Sequence, residues 1–217
     1  MEVTPIREYW DDILSSGDTI YAGLIFRIPP RLWRPLISLQ NQLRSIDSRQ
    51  LYSNPATFHV PIKGLGYLED EVDRVKYETV LQKIKKIASE FDPFEVRLRG
   101  VEAFPTSIYV KIEDGGHFKE INERILGELG GVVEKSRFDA DEFVPHVTLA
   151  TFNTKDVARL LETIKMDGVR ERDFGEAGVY EIEAVRVNLI FALGPQETQD
   201  SAFSYIRSFW LGKFNGR

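Results

Sequence analysis

The chain contains no cysteine. That removes disulfides, thiolate metal ligands and a cysteine nucleophile, and it fits a cytoplasmic compartment. Histidine is scarce: His59, His117 and His146 are the only three in 217 residues. A three-histidine metal site would need all of them and nothing in their spacing favours it, so neither a metal nor a cofactor is expected. No apolar run approaches the ~18 residues of a membrane span. The start, Met1-Glu2-Val3-Thr4, lacks the basic and apolar regions of a signal peptide, and no membrane partner is expected. Positive charge is short as well. The 28 Lys and Arg against 34 Asp and Glu leave a net −6, which argues against gripping long duplex nucleic acid by phosphate neutralisation. A nucleotide or an RNA end in a local cleft is still allowed.

What is present is a pair of histidine segments. Val144-Pro145-His146-Val147-Thr148-Leu149 reads as a strand, and in a strand residues i and i+2 share a face. His146 and Thr148 therefore look out together while Val147 and Leu149 face a core. Phe58-His59-Val60-Pro61-Ile62 lies 87 residues earlier and has the same form. Its alternation predicts Thr57, His59, Pro61 and Lys63 on one face and Phe58, Val60 and Ile62 on the other.

The surroundings repeat too. Ile20-Tyr21 begins a strand-like run 39 residues before His59, and Ile108-Tyr109 begins one 38 residues before His146. Each run precedes a helix, and a further β-rich run starts 35 residues after each histidine, near Phe94 and near Glu181. Two copies of strand, helix, histidine strand, helix, strand predict one bilobal domain over 1–217 with pseudo-twofold symmetry. The first repeat spans about 19–101 and the second about 107–193, with a C-terminal segment completing a sheet.

In chain order, the periodicity predicts a short helix over 5–14, a strand over 19–28 stopped by Pro29-Pro30, and a helix over 31–44 with Leu32, Leu36, Leu39 and Leu43 on one side. A loop follows over 47–55. A long helix over 69–90 carries Val72, Val75, Val80, Ile84 and Ile87, and an alternating strand runs from Phe94 to Val101. On that strand Arg97 and Arg99 face outward, most simply as a solvated sheet face. A helix from His117 to Leu129 is stopped by Gly130-Gly131, and His117 at its start reads as a terminal residue rather than a ligand. Asn153 or Thr154 is the expected cap of a helix ending at Ile164. Residues 168–178 read as a loop with irregular strand, 179–193 as one or two strands, 202–211 as a last strand or short helix, and 213–217 as a frayed end.

The two histidine strands, the second matching cleanly as Pro145-His146-Val147-Thr148-Leu149 and the first followed by Lys63-Gly64-Leu65-Gly66, resemble the two-histidine (2H) phosphoesterase superfamily. The branch resembled is that of the 2'-5' RNA ligases that act as RNA 2',3'-cyclic phosphodiesterases. The resemblance implies an α+β fold of two pseudo-symmetric lobes, each an antiparallel sheet with helices outside, around a central cleft. It implies metal-independent opening of RNA or nucleotide 2',3'-cyclic phosphates to a 2'-phosphate, with reverse 2'-5' ligation open to the same groups. His59 and His146 would be the general acid and base, since imidazole with a pKa near ~6.5 serves either role at neutral pH. Thr148, Thr57 and Lys63 would bind the substrate, an RNA end or small cyclic nucleotide. Two departures stand out: Pro61 replaces the first-motif Thr or Ser, and Thr151-Phe152 stands where many relatives carry an arginine. The rival expectation is a weakened domain that binds a nucleotide or RNA end without turnover.

Overall fold

A computed structural model describes residues 1–17, 19–67, 73–130, 133 and 143–212. After two short helices, α1 (Ile6–Tyr9) and α2 (Asp11–Ser16), the first repeat runs β1 (Ile20–Arg27), α3 (Trp33–Ile46), β2 (Leu51–Tyr52), β3 (His59–Tyr67), α4 (Asp73–Ala88) and β4 (Phe94–Phe104). The second runs β5 (Ser107–Glu113), α5 (His117–Leu129), β6 (His146–Thr151), α6 (Ala158–Lys165), α7 (Asp167–Arg170), β7 (Asp173–Val179) and β8 (Glu181–Asn188), followed by α8 (Leu189–Ala192) and β9 (Phe203–Trp210).

The local causes are those the sequence carries. Pro35 falls in the first turn of α3, where a missing N–H breaks no helical bond, and Leu36, Leu39 and Leu43 are fully buried. Several boundaries differ from the periodicity. The stretch over 47–55 contains β2, which pairs Tyr52 with Ala150. The stretch over 168–178 holds the end of α7 and, from Asp173, the edge strand β7, with Phe174, Ala177 and Val179 buried; the strand is irregular as expected, its register with β4 skipping Phe174 beside Gly175 at φ 107. Asn153 and Thr154 cap no helix, because α6 starts at Ala158 and both backbone N–H groups are turned to Gln50 Oε1. The expected start of the long helix at 69–72, the stop at Gly131 and the tail over 213–217 lie outside the described residues.

Two antiparallel sheets result, in the orders β3-β1-β8-β9 and β2-β6-β5-β4-β7. Apart from β2 they match strand for strand, with β3 answering to β6, β1 to β5, β8 to β4 and β9 to β7. The lobes are therefore not the two sequence repeats. The third strand of each repeat crosses into the other repeat's sheet: β4 joins β5, and β8 joins β1. The helices exchange in the same way, α4 and α5 packing on β9 and β3, and α3 and α6 on β6 and β4. Exchange welds the halves into one core, in which Phe118 of α5 touches both Phe26 of β1 and Phe94 of β4. Burying each such side chain stabilises the fold by about 1.5–3 kcal/mol, so no single repeat retains its core alone.

Candidate active site

The strands β3 and β6 face each other where the two sheets meet, and each begins with its histidine. His59 Nδ1 lies 2.7 Å from Thr57 O, and His146 Nδ1 lies 2.7 Å from Val144 O. A carbonyl only accepts, so each hydrogen bond requires the proton on Nδ1. Each neutral ring then presents Nε2 with a free lone pair. Both rings are half-buried. Burial lowers the His59 pKa to about 4, against the Thr57 carbonyl bond and with smaller contributions from His146 and Arg27. Burial also lowers that of His146. Aromatic rings wall both imidazoles, with Phe203 5.1 Å from His59, and Phe104 and Tyr109 4.9 and 5.4 Å from His146.

A β-bulge follows each histidine at the same place. Register skips Ile62 in β3 and Leu149 in β6, three residues past the histidine in both. A bulge disrupts the ladder locally, and here a buried amide donates to the carbonyl of each bulged residue. Asn122 Nδ2 on α5 donates to Ile62 O at 2.7 Å, and Gln40 Nε2 on α3 donates to Leu149 O at 2.7 Å. Their settings match in sequence, Leu36-x-x-Leu39-Gln40-x-x-Leu43 and Phe118-x-x-Ile121-Asn122-x-x-Ile125. An amide recurring on an apolar stripe was the available signal for these residues, and it escapes a reading based on the histidine segments alone.

The bulges decide where the other expected residues go. Thr148 pairs with Tyr109 on the His146 face, and its hydroxyl has no protein partner among the described residues. Pro61 is its counterpart, paired with Ile25. Proline is tolerated because β3 is an edge strand. Lys63 does not share the His59 face. Past the bulge it pairs with Leu24, whose side chain is in the core, and it is itself buried. Thr57 lies in a 3-10 turn before β3, its hydroxyl donating to Asn54 O at 2.8 Å. Its carbonyl, not its hydroxyl, contacts His59.

Charged groups complete the symmetry. Arg27 stands across β1 from His59, and Lys111 stands across β5 from His146. Each is paired with a glutamate one strand further on. Arg27 Nη2 lies 2.9 Å from Glu183 Oε2, and Lys111 Nζ lies 3.2 Å from Glu102 Oε1. Arg97 is held by Asp173 and Glu176, so it is committed within the sheet face. His117, at the first residue of α5, stacks on Phe94 at 4.5 Å. Among the described residues no cluster of three or more His, Asp or Glu side chains is arranged to hold a metal ion, and no helix is long and apolar enough to cross a membrane.

Paired, similarly tethered histidines on a pseudo-twofold α+β frame define a two-histidine phosphoesterase fold. The family model of the 2'-5' RNA ligase superfamily matches residues 28–186, more than half of the chain, and the chain belongs to that superfamily. It is 25% identical over 174 residues to an RNA 2',3'-cyclic phosphodiesterase of Methanocaldococcus jannaschii, covering 76% of this chain and 90% of that protein. To an RNA 2',3'-cyclic phosphodiesterase of Aquifex aeolicus it is 23% identical over 168 residues, covering 73% and 80%. In three dimensions it is similar to E. coli LigT complexed with 3'-AMP, with a TM-score of 0.64, 11% identity and coverage of 88% of this chain and 97% of that one. TT0787 of Thermus thermophilus superposes with a TM-score of 0.60 and 22% identity over 89% and 99%. These likenesses establish the α+β fold with its two antiparallel sheets.

Proposed function

We propose that the chain is a metal-independent phosphodiesterase that opens the 2',3'-cyclic phosphate of an RNA end or a nucleotide to the 2'-phosphate, with His59 and His146 as acid and base. The observation that carries this is the matched tethering of the two imidazoles, each fixed at Nδ1 by the carbonyl two residues before it. Each strand of the facing pair thus carries an imidazole with its Nε2 left free to react. One, neutral, takes a proton from water as its oxygen bonds to phosphorus. The other, protonated, gives its proton to the 3' oxygen as the P–O3' bond breaks. The same steps, with the 5'-hydroxyl of a second RNA in place of water, form a 2'-5' linkage. Thr148 donates to a non-bridging oxygen as charge builds there. The names of the archaeal and Aquifex relatives support the substrate class, and the LigT complexes with 3'-AMP and ATP support nucleotide binding.

The test is hydrolysis of nucleoside 2',3'-cyclic phosphates and of a short RNA with that terminus, in EDTA. Wild type should turn over, and His59→Ala and His146→Ala should each lose about 10²–10⁴ in kcat. Tight nucleotide binding without turnover by the folded wild type would replace this reading with that of a binding domain.

A further inference from the structure

Next to the histidines lies a cavity of about 570 Å³ that they do not line. Its wall includes Arg27, the cross-strand partner of His59, together with Glu183, Glu181, Glu95, Tyr180 and Trp210. The volume falls in the range of small-ligand sites. Tyr180 and Trp210 are large aromatics left 56% and 53% exposed. They share one corner, since Leu211 N–H donates to Tyr180 O and Trp210 pairs with Glu181. The Tyr180 ring occupies the space where a side chain of Gly178 would begin: a Cβ there would come within 2.5 Å of the ring. Gly178 has no left-handed backbone to explain it. What it supplies is room for an aromatic ring to lie flat on β7 with its outer face open.

The charges say which part of a nucleotide fits. Arg27 is neutralised by Glu183, and Arg31 donates to the backbone oxygen of Glu176. Glu95 and Glu181 have no ion pair among the described residues. With Arg31, among the described residues, the one lining cation not ion-paired against these two carboxylates, the lining carries a net negative charge that disfavours phosphate, and its carboxylates accept N–H donors.

We propose that this cavity is a nucleobase subsite, with Tyr180 as the stacking platform and Glu181 and Glu95 as readers of the base edge, selecting guanine over uracil. This rests on the reading of the histidine cleft as a cyclic-phosphate site. Guanine presents N1–H and N2–H on one edge, which a carboxylate accepts as two parallel bonds. Uracil presents one N–H between two carbonyls that oppose a carboxylate. The phosphate stays at the histidines and Thr148, and the base reaches past Arg27 into the cavity.

The experiment compares guanosine and uridine 2',3'-cyclic phosphates in wild type, Tyr180→Ala, Gly178→Val and Glu181→Gln. The expected kcat/KM ratio in wild type favours guanine by tenfold to a hundredfold, from hydrogen bonds to a charged group. Tyr180→Ala should raise KM about tenfold, from lost stacking, with kcat nearly unchanged. Gly178→Val should reproduce that by displacing the ring, and Glu181→Gln should lower the guanine preference without raising the uridine KM. A wild-type ratio near one, or an unchanged KM in both Tyr180→Ala and Gly178→Val, overturns the proposal. Binding of guanosine and uridine 2'-monophosphates, followed by tryptophan fluorescence, separates this proposal from the reaction. Guanine preference lost in Tyr180→Ala, in a chain that hydrolyses neither cyclic phosphate, keeps the subsite and removes the phosphodiesterase. Equal binding of both removes the subsite.

Discussion

The strands β3 and β6 are the same device built twice, with different parts. Both hold a histidine through the carbonyl two residues back, both bulge three residues on, and both hand the bulge carbonyl to a buried amide. Between histidine and bulge, however, β6 offers the Thr148 hydroxyl and β3 offers Pro61. Their cations differ as well. Arg27 is fixed by Nε and Nη2 on Glu183 and by Nη1 on Ala56 O, whereas Lys111 is held by one ion pair to a glutamate that also accepts from Tyr109. What the two strands share is the aiming of the imidazoles. What differs is the residue beside each histidine, and under the proposed reaction the donor to the phosphate comes from the β6 side.

The most direct way to break this comparison is to equalise the strands. Thr148→Val should cost tenfold to a hundredfold in kcat, the worth of a hydrogen bond to a charged group. Pro61→Val should stay within about twofold, since no donor is lost there. Steady-state rates on a cyclic phosphate decide it. Equal losses at the two positions would mean that Thr148 acts through packing, not through its hydroxyl.

A second effect separates the histidines by acid stability. The His59 pKa falls from 6.5 to about 4 on folding, chiefly through burial, so between those values the unfolded chain binds the extra proton. Stability from this group is complete above pH 6.5 and is lost as pH falls towards 4. Because the ring is partly open to the cleft, the loss is about 2 kcal/mol, below what the full shift implies. Urea midpoints of wild type and His59→Gln at pH 7 and pH 4.5 measure it. The variant should show a flatter pH dependence, and parallel curves would mean that the buried neutral imidazole contributes nothing.

The pairing of His59 with His146 and the side of Thr148 were legible because a strand's period of two survives up to the first irregularity. Lys63 was misplaced because a bulge lies between it and His59, and one inserted residue reverses every later side chain. The exchange of third strands left no mark on local pattern. β4 and β8 have the same alternation whichever sheet they join, and the pairings of β4 with β5 and of β8 with β1 are what make the exchange visible. Arg27, Lys111, Glu102 and Glu183 escaped for a related reason. A charged residue on a strand reads as a solvated face until cross-strand register places it opposite a histidine.

The smallest expected difference concerns those cations. Arg27→Met leaves Glu183, whose side chain is 15% exposed, without its three-bonded partner, and should cost about 1–2 kcal/mol of stability. Lys111→Met releases Glu102, whose side chain is 50% exposed, and should cost less than about 0.5 kcal/mol, shrinking further in salt. Denaturant titration at low and high salt checks both. The contrast matters because a cation fastened into the sheet is a strut, while one held by an exposed pair is cheap to detach. Equal costs would make Arg27 and Lys111 interchangeable, and the two strands would then differ at Pro61 and Thr148 but not in their cations.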